Sequence, residues 1–261
     1  TVKQQLIDIL PATLFSAVMA ACVKCVTQLL NGAFVSLVAG IASFNGKTVT
    51  VIGNRKGKNI EENIRYNFGM ASPEGYRKAV RVMKQAEKFN RPIITFIDTK
   101  GAYPGVEAEQ RGQGEAIAKS MFEMAKLTVP VIAIVIGEGS SGGALAIGVA
   151  NKVIMLENAI YSILSPEGYS SILWKDSSRF KEAADRMKLT ANDLYDMGII
   201  ETVIKESIEN YTTEKELLKN ITDKIKQEIQ TTVQELKTKT KDEIVEERYQ
   251  KFRKISGFKE V

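Results

Sequence analysis

Between residues 37 and 204 the chain alternates short, almost unbroken apolar runs with segments whose apolar positions recur every three or four residues. The first rhythm marks strands and the second marks amphipathic helices. VAGIASFNGKTVTVIG predicts two strands over 37–53 joined at Asn45-Gly46, a strong two-residue hairpin signal. A basic, polar connection, GNRKGKNIEENIRYNFGM, follows over 53–70. Ser72-Pro73 then opens a helix, with serine as N-cap and proline at the first helical position. Its buried face is marked by Tyr76, Ala79, Val80, Met83 and Ala86. Next come the strand RPIITFIDT, the loop KGAYPGVE and one helix through EQRGQGEAIAKSMFEMAKL. The unit then repeats in kind as strand VPVIAIVIG, glycine loop and helix SGGALAIGVA. Strands KVIMLE and AIYSIL follow, and Ser165-Pro166-Glu167 caps a helix holding Trp174. Thr190 caps TANDLYDM, Gly198 ends it, and IIETVI forms a last short strand. Two successive strand–glycine loop–helix units predict an α/β layered core.

The ends of the chain differ from this middle. Residues 1–36 read as an apolar helical segment, and a chain that begins at Thr1 reads as trimmed or partial. The run 25–46 carries no charge, but Gln28, Asn31, Gly32 and Gly40 interrupt it and its second half belongs to the hairpin. No membrane span is expected. Cys22 and Cys25 are the only cysteines, which suits a reducing, cytoplasmic compartment without disulfides. Lacking a second pair, they read as small apolar side chains on a helix. From about residue 213, Leu218, Ile221, Ile225, Ile229, Val233 and Leu236 form an apolar stripe opposite a charged face. Such a helix is marginal alone, so docking on the core is expected. The chain thus divides into 1–36, a core over 37–204 and a helical region over 205–261.

Composition narrows the chemistry. The 261 residues include no histidine, which removes a Ser-His-Asp triad and any zinc site built on imidazole. No metal site is expected. The net charge of +5 is interspersed rather than gathered on one stretch, so nucleic acid is not an expected partner.

The segment GEGSSGGALAIG, 137–148, carries the candidate chemistry. Gly139-Ser140-Ser141-Gly142-Gly143 fits G-x-S-x-G, the strand-to-helix elbow that presents a nucleophilic serine. Without histidine, such a serine would need a lysine base. The same glycines could instead aim backbone N–H groups at a developing oxyanion at the start of a helix. A third reading is a tight turn that lets strand and helix pack closely. GEGSSG also matches the dinucleotide fingerprint G-x-G-x-x-G literally, with Glu157 near the distance of a ribose-binding carboxylate. Spacing and residue type leave these alternatives open.

Longer stretches speak to family. NFGMASPEGYRKAVRVMKQAEKFNRPIITFIDTKGAYPGVEAEQRGQGEAIA (67–118), VPVIAIVIGEGSSGGALAIGVANKVIMLENAIYSILSPEGYSSILWKD (129–176), LTANDLYDMGIIETVI (189–204) and GIASFNGKTVTVIG (40–53) together cover most of 38–204. In these the chain resembles the carboxyltransferase alpha subunits of multisubunit acetyl-coenzyme A carboxylases. The resemblance implies an α/β, crotonase-like spiral of ββα units followed by C-terminal helices. It implies transfer of a carboxyl group from biotin on a carrier protein to a coenzyme A thioester, acetyl-coenzyme A, giving malonyl-coenzyme A for fatty acid synthesis in an ATP-dependent holoenzyme. It also implies two partners, a zinc-ribbon carboxyltransferase beta subunit and the biotin carboxyl carrier protein, within an alpha2beta2 heterotetramer. Carried over by position, the oxyanion donors fall on Gly142 and Gly143. Gly101, Ala102, Tyr103, Pro104, Gly139, Ser140 and Ser141 would wall the substrate and biotin site.

The chain departs from the family pattern at four places. Ser140 stands where members carry glycine, and a non-glycine residue there would resist positive φ. Asn54-Arg55 replaces a histidine–glutamine pair before Lys56-Gly57, residues 1–36 lack the family's usual motifs, and a glycine-rich segment is missing near 206–212. Such changes would also fit a paralogue using another acyl thioester, by carboxylation or decarboxylation, or a non-catalytic scaffold subunit. A hydratase would need paired glutamates; Glu107 and Glu109 share a side only if their segment is extended.

Overall fold

Strand pairing starts at the hairpin, where Asn45-Gly46 places it. The computed structural model describes residues 24–25, 36–207, 210–211 and 213–255. Strands β2 (Leu37–Phe44) and β3 (Lys47–Asn54) pair antiparallel along their whole length. Asn45 and Gly46 take φ of 48° and 76°, the two positive values that a tight turn matching strand twist demands. At the outer edge, a two-residue strand, β1 (Lys24–Cys25), pairs with Ser43 and Ala42 of β2. Here the expectation that Cys25 sits on a helix is corrected: Cys25 is extended and paired to Ala42. Cys22 and the rest of 1–35 lie outside the described residues.

The connection over 53–70 holds a short helix, α1 (Ile60–Arg65), capped by Asn59, whose side chain accepts from the Glu62 N–H. Helix α2 (Pro73–Lys88) begins as expected and buries the predicted face. β4 (Ile93–Thr99) is buried throughout. The single helix expected after it is two, α3 (Val106–Gln110) and α4 (Gln113–Lys126), because Gly112 turns with φ of 79° between them. β5 (Val131–Ser140) runs parallel to β4, and its apolar run is buried as befits a strand covered on both faces. α5 (Ser141–Leu145) is shorter than expected; Ile147 and Gly148 fold back onto Ala144 and Leu145 carbonyls and end it. β6 (Lys152–Leu156) pairs with Ile132–Val135 of β5, and β7 (Ile160–Ser162) continues along the same strand at Glu138–Ser140. α6 (Pro166–Trp174), α7 (Phe180–Met187) and α8 (Ala191–Asp196) follow, and β8 (Thr202–Ile204) joins β6. Among the described residues this makes one eight-stranded sheet, ordered β1-β2-β3-β4-β5-β6-β8 with β7 beside β5. No helix among them is long and apolar enough to cross a membrane.

The tail forms α9 (Glu214–Lys237) and α10 (Lys241–Lys254). Its stripe packs into the chain's own core through Leu217, Ile221, Ile225, Ile229 and Val233; Leu218, expected on the stripe, is only partly buried. α10 is fastened by Arg248, which is completely buried. One of its terminal nitrogens donates to the Met124 and Leu127 carbonyls at 2.8 and 2.7 Å. The other donates to the Val129 carbonyl at 3.0 Å and to Asn151 Oδ1 at 2.6 Å. Asn151 in turn donates from Nδ2 to the Ile244 carbonyl, so the same polar knot holds α10 from two directions. Met124 lies in the last turn of α4, where carbonyls lack helical partners and a cation meets the negative end of the dipole. Burial pulls the guanidinium down to about 10, against the pull of Glu87 and Glu247, so it stays charged at neutral pH.

Replacing Arg248 with methionine keeps volume but strands these carbonyls. Arg248→Met is expected to lower the unfolding free energy by about 3 kcal/mol, with a smaller loss for Arg248→Lys. Denaturant melts check this; a loss for Arg248→Met below about 1 kcal/mol would mean the carbonyls find other partners.

Candidate active site

The sheet sets two glycine loops side by side. β4 and β5 are adjacent and parallel, so the chain leaves both at their carboxyl ends, the position where open α/β sheets bind ligands. The first loop carries Gly101, and the second turns from Ser140 into α5. Between them the backbones touch. A Cβ on Gly143 would lie 2.3 Å from the Gly101 carbonyl carbon, 2.4 Å from its oxygen and 2.7 Å from the Ala102 nitrogen. No side chain fits there, so glycine at 143 is a requirement of the contact. Gly101 answers with φ of 135°, a conformation L side chains rarely adopt. Gly142 is less constrained: its nearest neighbour is Ile117 of α4, at ordinary contact distance.

The serines divide their roles differently from the sequence expectation. Ser140 was expected to carry the strain of a missing glycine. It has φ of −110° and ψ of 131°, ordinary extended backbone, because it is still strand and pairs with Ser162 of β7. The positive φ falls on Ser141, at 54°, where the strand turns into the helix. An L residue in that region costs about 1–2 kcal/mol. Ser141 therefore sits on an elbow, as the G-x-S-x-G spacing suggested, while Gly142 and Gly143 open the first turn of α5. N–H groups at this point of a helix have no intrahelical acceptor.

Several neighbours that the motif did not reveal hold the loops. Thr99 Oγ1 donates to the Gly101 carbonyl at 2.8 Å and accepts the Gly101 N–H at 3.1 Å, pinning the turn at both ends of one residue. Gln113, buried at the start of α4, donates from Nε2 to the carbonyls of Ala71 and Tyr103. Ala102 bridges to Ala71, and the Tyr103 N–H also donates to the Ala71 carbonyl. The Tyr103 ring lies over Gly105, leaving no room for a Cβ there, whereas Pro104 is exposed. Gly139 is covered by the Tyr161 ring; burial pushes that phenol up to about 12, so it stays protonated. All seven expected wall residues, Gly101, Ala102, Tyr103, Pro104, Gly139, Ser140 and Ser141, thus lie on or beside the two loops, with Pro104 exposed. A polar residue on an otherwise apolar face, Gln113 on α4 or Asp98 in IITFIDT, was the available sequence signal for the supports.

Beneath the loops lies a charged cluster. Lys56 Nζ donates to Asp98 Oδ1 at 2.8 Å and to Glu138 Oε2 at 2.6 Å. Asp98 Oδ1 also accepts the Glu138 N–H at 3.0 Å. Burial alone would lower the Lys56 ammonium, but Asp98 and Glu138 outweigh it and hold it above the ordinary lysine value.

Other candidates fall away from this point. Glu107 and Glu109 are exposed on α3, where a two-residue offset sends them to different sides. Glu157 is committed to Lys205 Nζ at 2.9 Å and to the Glu206 N–H, which is a structural role at the far edge of the sheet. No group of three or more metal-ligating side chains occurs among the described residues.

Known proteins place the chain. The family model described as "Acetyl co-enzyme A carboxylase carboxyltransferase-like" matches residues 31–256. The chain is 58% identical over 223 residues to the acetyl-coenzyme A carboxylase carboxyl transferase subunit alpha of Clostridium acetobutylicum, covering 85% of this chain and 80% of that protein. It is 60% identical over 220 residues to the same subunit of Clostridium botulinum, covering 84% and 79%. Solved structures share the fold at low identity. A Pseudomonas malonate decarboxylase MdcD–MdcE hetero-dimer superposes with a TM-score of 0.70 at 16% identity, covering 94% of this chain and 96% of that one. Transcarboxylase 12S, with methylmalonyl-coenzyme A and methylmalonic acid bound, gives 0.62 at 21% identity, covering 78% of this chain and 37% of that one. The fold is thus that of crotonase-like carboxyltransferases, and the chain belongs to the acetyl-coenzyme A carboxylase carboxyltransferase-like family.

Proposed function

We propose that this carboxyltransferase chain is the alpha-type half of a site that moves a carboxyl group from carboxybiotin, carried on a biotin carboxyl carrier protein, to acetyl-coenzyme A. A zinc-ribbon beta-type subunit supplies the other half, in a cytoplasmic alpha2beta2 assembly. The observation that carries this reading is the side-chain-free contact between the Gly101 and Gly143 backbones at the carboxyl ends of β4 and β5. The transfer breaks the N–C bond of carboxybiotin, moves an α-proton of the thioester to the ureido nitrogen and joins the α-carbon to the released carbon dioxide. Negative charge develops on an oxygen during each half of that exchange. The N–H groups of Gly142 and Gly143 are fixed before the reaction and meet such an oxygen without reorganisation. Thr99, Gln113 and the Tyr103 backbone hold the opposite wall in place. The proton goes to biotin itself, so the chain needs no side-chain base, consistent with a sequence free of histidine. The hetero-oligomeric malonate decarboxylase with the same fold supports a two-chain site.

Co-expression with a beta-type partner tests the assignment. The complex is expected to form malonyl-coenzyme A from carboxybiotin and acetyl-coenzyme A; a complex that neither carboxylates nor decarboxylates any acyl thioester would make the chain a scaffold.

The two serine–glycine readings separate by substitution. Gly143→Ala, or the bulkier Gly143→Val, is expected to lower turnover of the assembled complex by about 100-fold or more, since one donor is displaced. Ser141→Ala is expected to leave turnover within about a factor of three, because its hydroxyl does not react. Loss of turnover in Ser141→Ala with a covalent acyl adduct on the parent Ser141 would restore the nucleophile.

A further inference from the structure

The ladder between β4 and β5 contains a discontinuity at the point where the two loops depart. Pairing runs in register from Ile93↔Val131 to Ile97↔Val135 and resumes at Thr99↔Gly139. Over that interval β4 advances two residues and β5 advances four. Such an irregularity removes ladder hydrogen bonds and re-aims the strand that follows. Asp98 stands at the break, and its carboxylate replaces part of the missing ladder by accepting the Glu138 N–H. Its side chain is 3% exposed, so as an anion it demands a counter-charge. Lys56, 16% exposed, supplies it from the end of β3 while also binding Glu138, the residue on the longer side of the break. Asn54 secures the same spot: its Oδ1 accepts the Asp98 N–H and its Nδ2 donates to the Gly69 carbonyl. Gly101 lies three residues beyond Asp98, and Gly143 five beyond Glu138.

We infer that Lys56 is a positioning residue for the carboxyl-transfer site: held between Asp98 and Glu138, it fixes the offset of β4 against β5 and thereby the contact of the Gly101 and Gly143 loops. Lys56 is largely buried and acts through the two strands rather than on substrate. The inference rests on the site proposed above, and one of its tests is independent of turnover.

The independent test is hydrogen exchange on the assembled complex. In Lys56→Met, amide exchange is expected to rise by about tenfold or more across 99–105 and 137–145, while α9 keeps the parent rate. Unchanged exchange in the two loops, or an equal rise everywhere, overturns the inference. The kinetic test measures malonyl-coenzyme A formation per assembled complex. Lys56→Met is expected to lose about tenfold or more in kcat with KM for acetyl-coenzyme A within about threefold, since loop misplacement weakens the transition state more than binding. Lys56→Arg, which keeps a charge able to reach both carboxylates, is expected to recover most of the loss. Unaltered kcat in Lys56→Met, or no recovery in Lys56→Arg, overturns it. Should Lys56→Met fail to fold, Glu138→Gln decides by the same exchange measurement, with a smaller rise expected and no rise overturning the inference. A parent complex without carboxyl transfer would defeat the proposed function, and the exchange result would still decide the role of Lys56.

Discussion

The carboxyl end of the sheet is organised by how closely the Gly143 backbone lies on the peptide joining Gly101 and Ala102. That approach admits no Cβ at 143, and it asks Gly101 for a φ that L residues avoid. It also requires each loop to be held independently, because two flexible loops would not stay in such contact. Thr99 grips Gly101 from within its own turn, and Tyr161 covers the base of the second loop at Gly139. The strain at Ser141 fits the same scheme. A cost of about 1–2 kcal/mol at one residue persists only where the surroundings over-determine the backbone. Here they do: β5 pairs on one side of the turn and α5 starts immediately on the other.

What the sequence showed depended on how local each signal is. The hairpin at Asn45-Gly46, the helix at Ser72-Pro73 and the buried runs of β4 and β5 were readable because neighbours in sequence decide them. The α1 helix was not read: Asn59 and the acidic pair Glu61-Glu62 mark its start, but a basic, polar context hid it. The strain expected at Ser140 falls one residue later, on Ser141, for a subtler reason. Motif spacing locates the turn but not the residue at which strand pairing stops, and β7 extends that pairing through Ser140. Gly112 could have been read either as a tolerated glycine or as a break; the Arg77 contact to the Arg111 carbonyl beside it arises from a separate helix. Asp98 stood out as a polar residue in an apolar run, but its pairing with Lys56, like the docking of Arg248, lay beyond reading, since each joins segments more than forty residues apart.

Two of the cations drawn in from the surface, Lys56 and Arg248, follow related logic. Lys56 and Arg248 are cations brought into the core where backbone or carboxylate oxygens outnumber local donors. At Lys56 the shortage comes from a broken ladder, and at Arg248 from the end of a helix. Arg248 donates directly to the carbonyls left over, whereas Lys56 neutralises the Asp98 carboxylate that spans the break; in each case the contact offsets part of the cation's desolvation.

The proposed site of backbone donors would depend unusually on its scaffold, because peptide N–H groups cannot change rotamer to correct a misplaced loop. Helix α4 shows how the requirement is met. Its first residue, Gln113, holds the Ala71 and Tyr103 carbonyls behind the first loop, and Ile117, one turn on, touches Gly142 of the second. Its last turn is bound by Arg248 through the Met124 carbonyl. One rigid element is therefore fastened at one end by the tail and braces both glycine loops at the other. That explains why a tail with no candidate chemistry of its own is docked by a buried arginine rather than by its apolar stripe alone. The stripe fixes which face of the tail meets the core, but apolar contact tolerates sliding along a helix. Hydrogen bonds from one guanidinium to carbonyls of the α4 end and the connection that follows are directional, so they favour one register of α10 against α4.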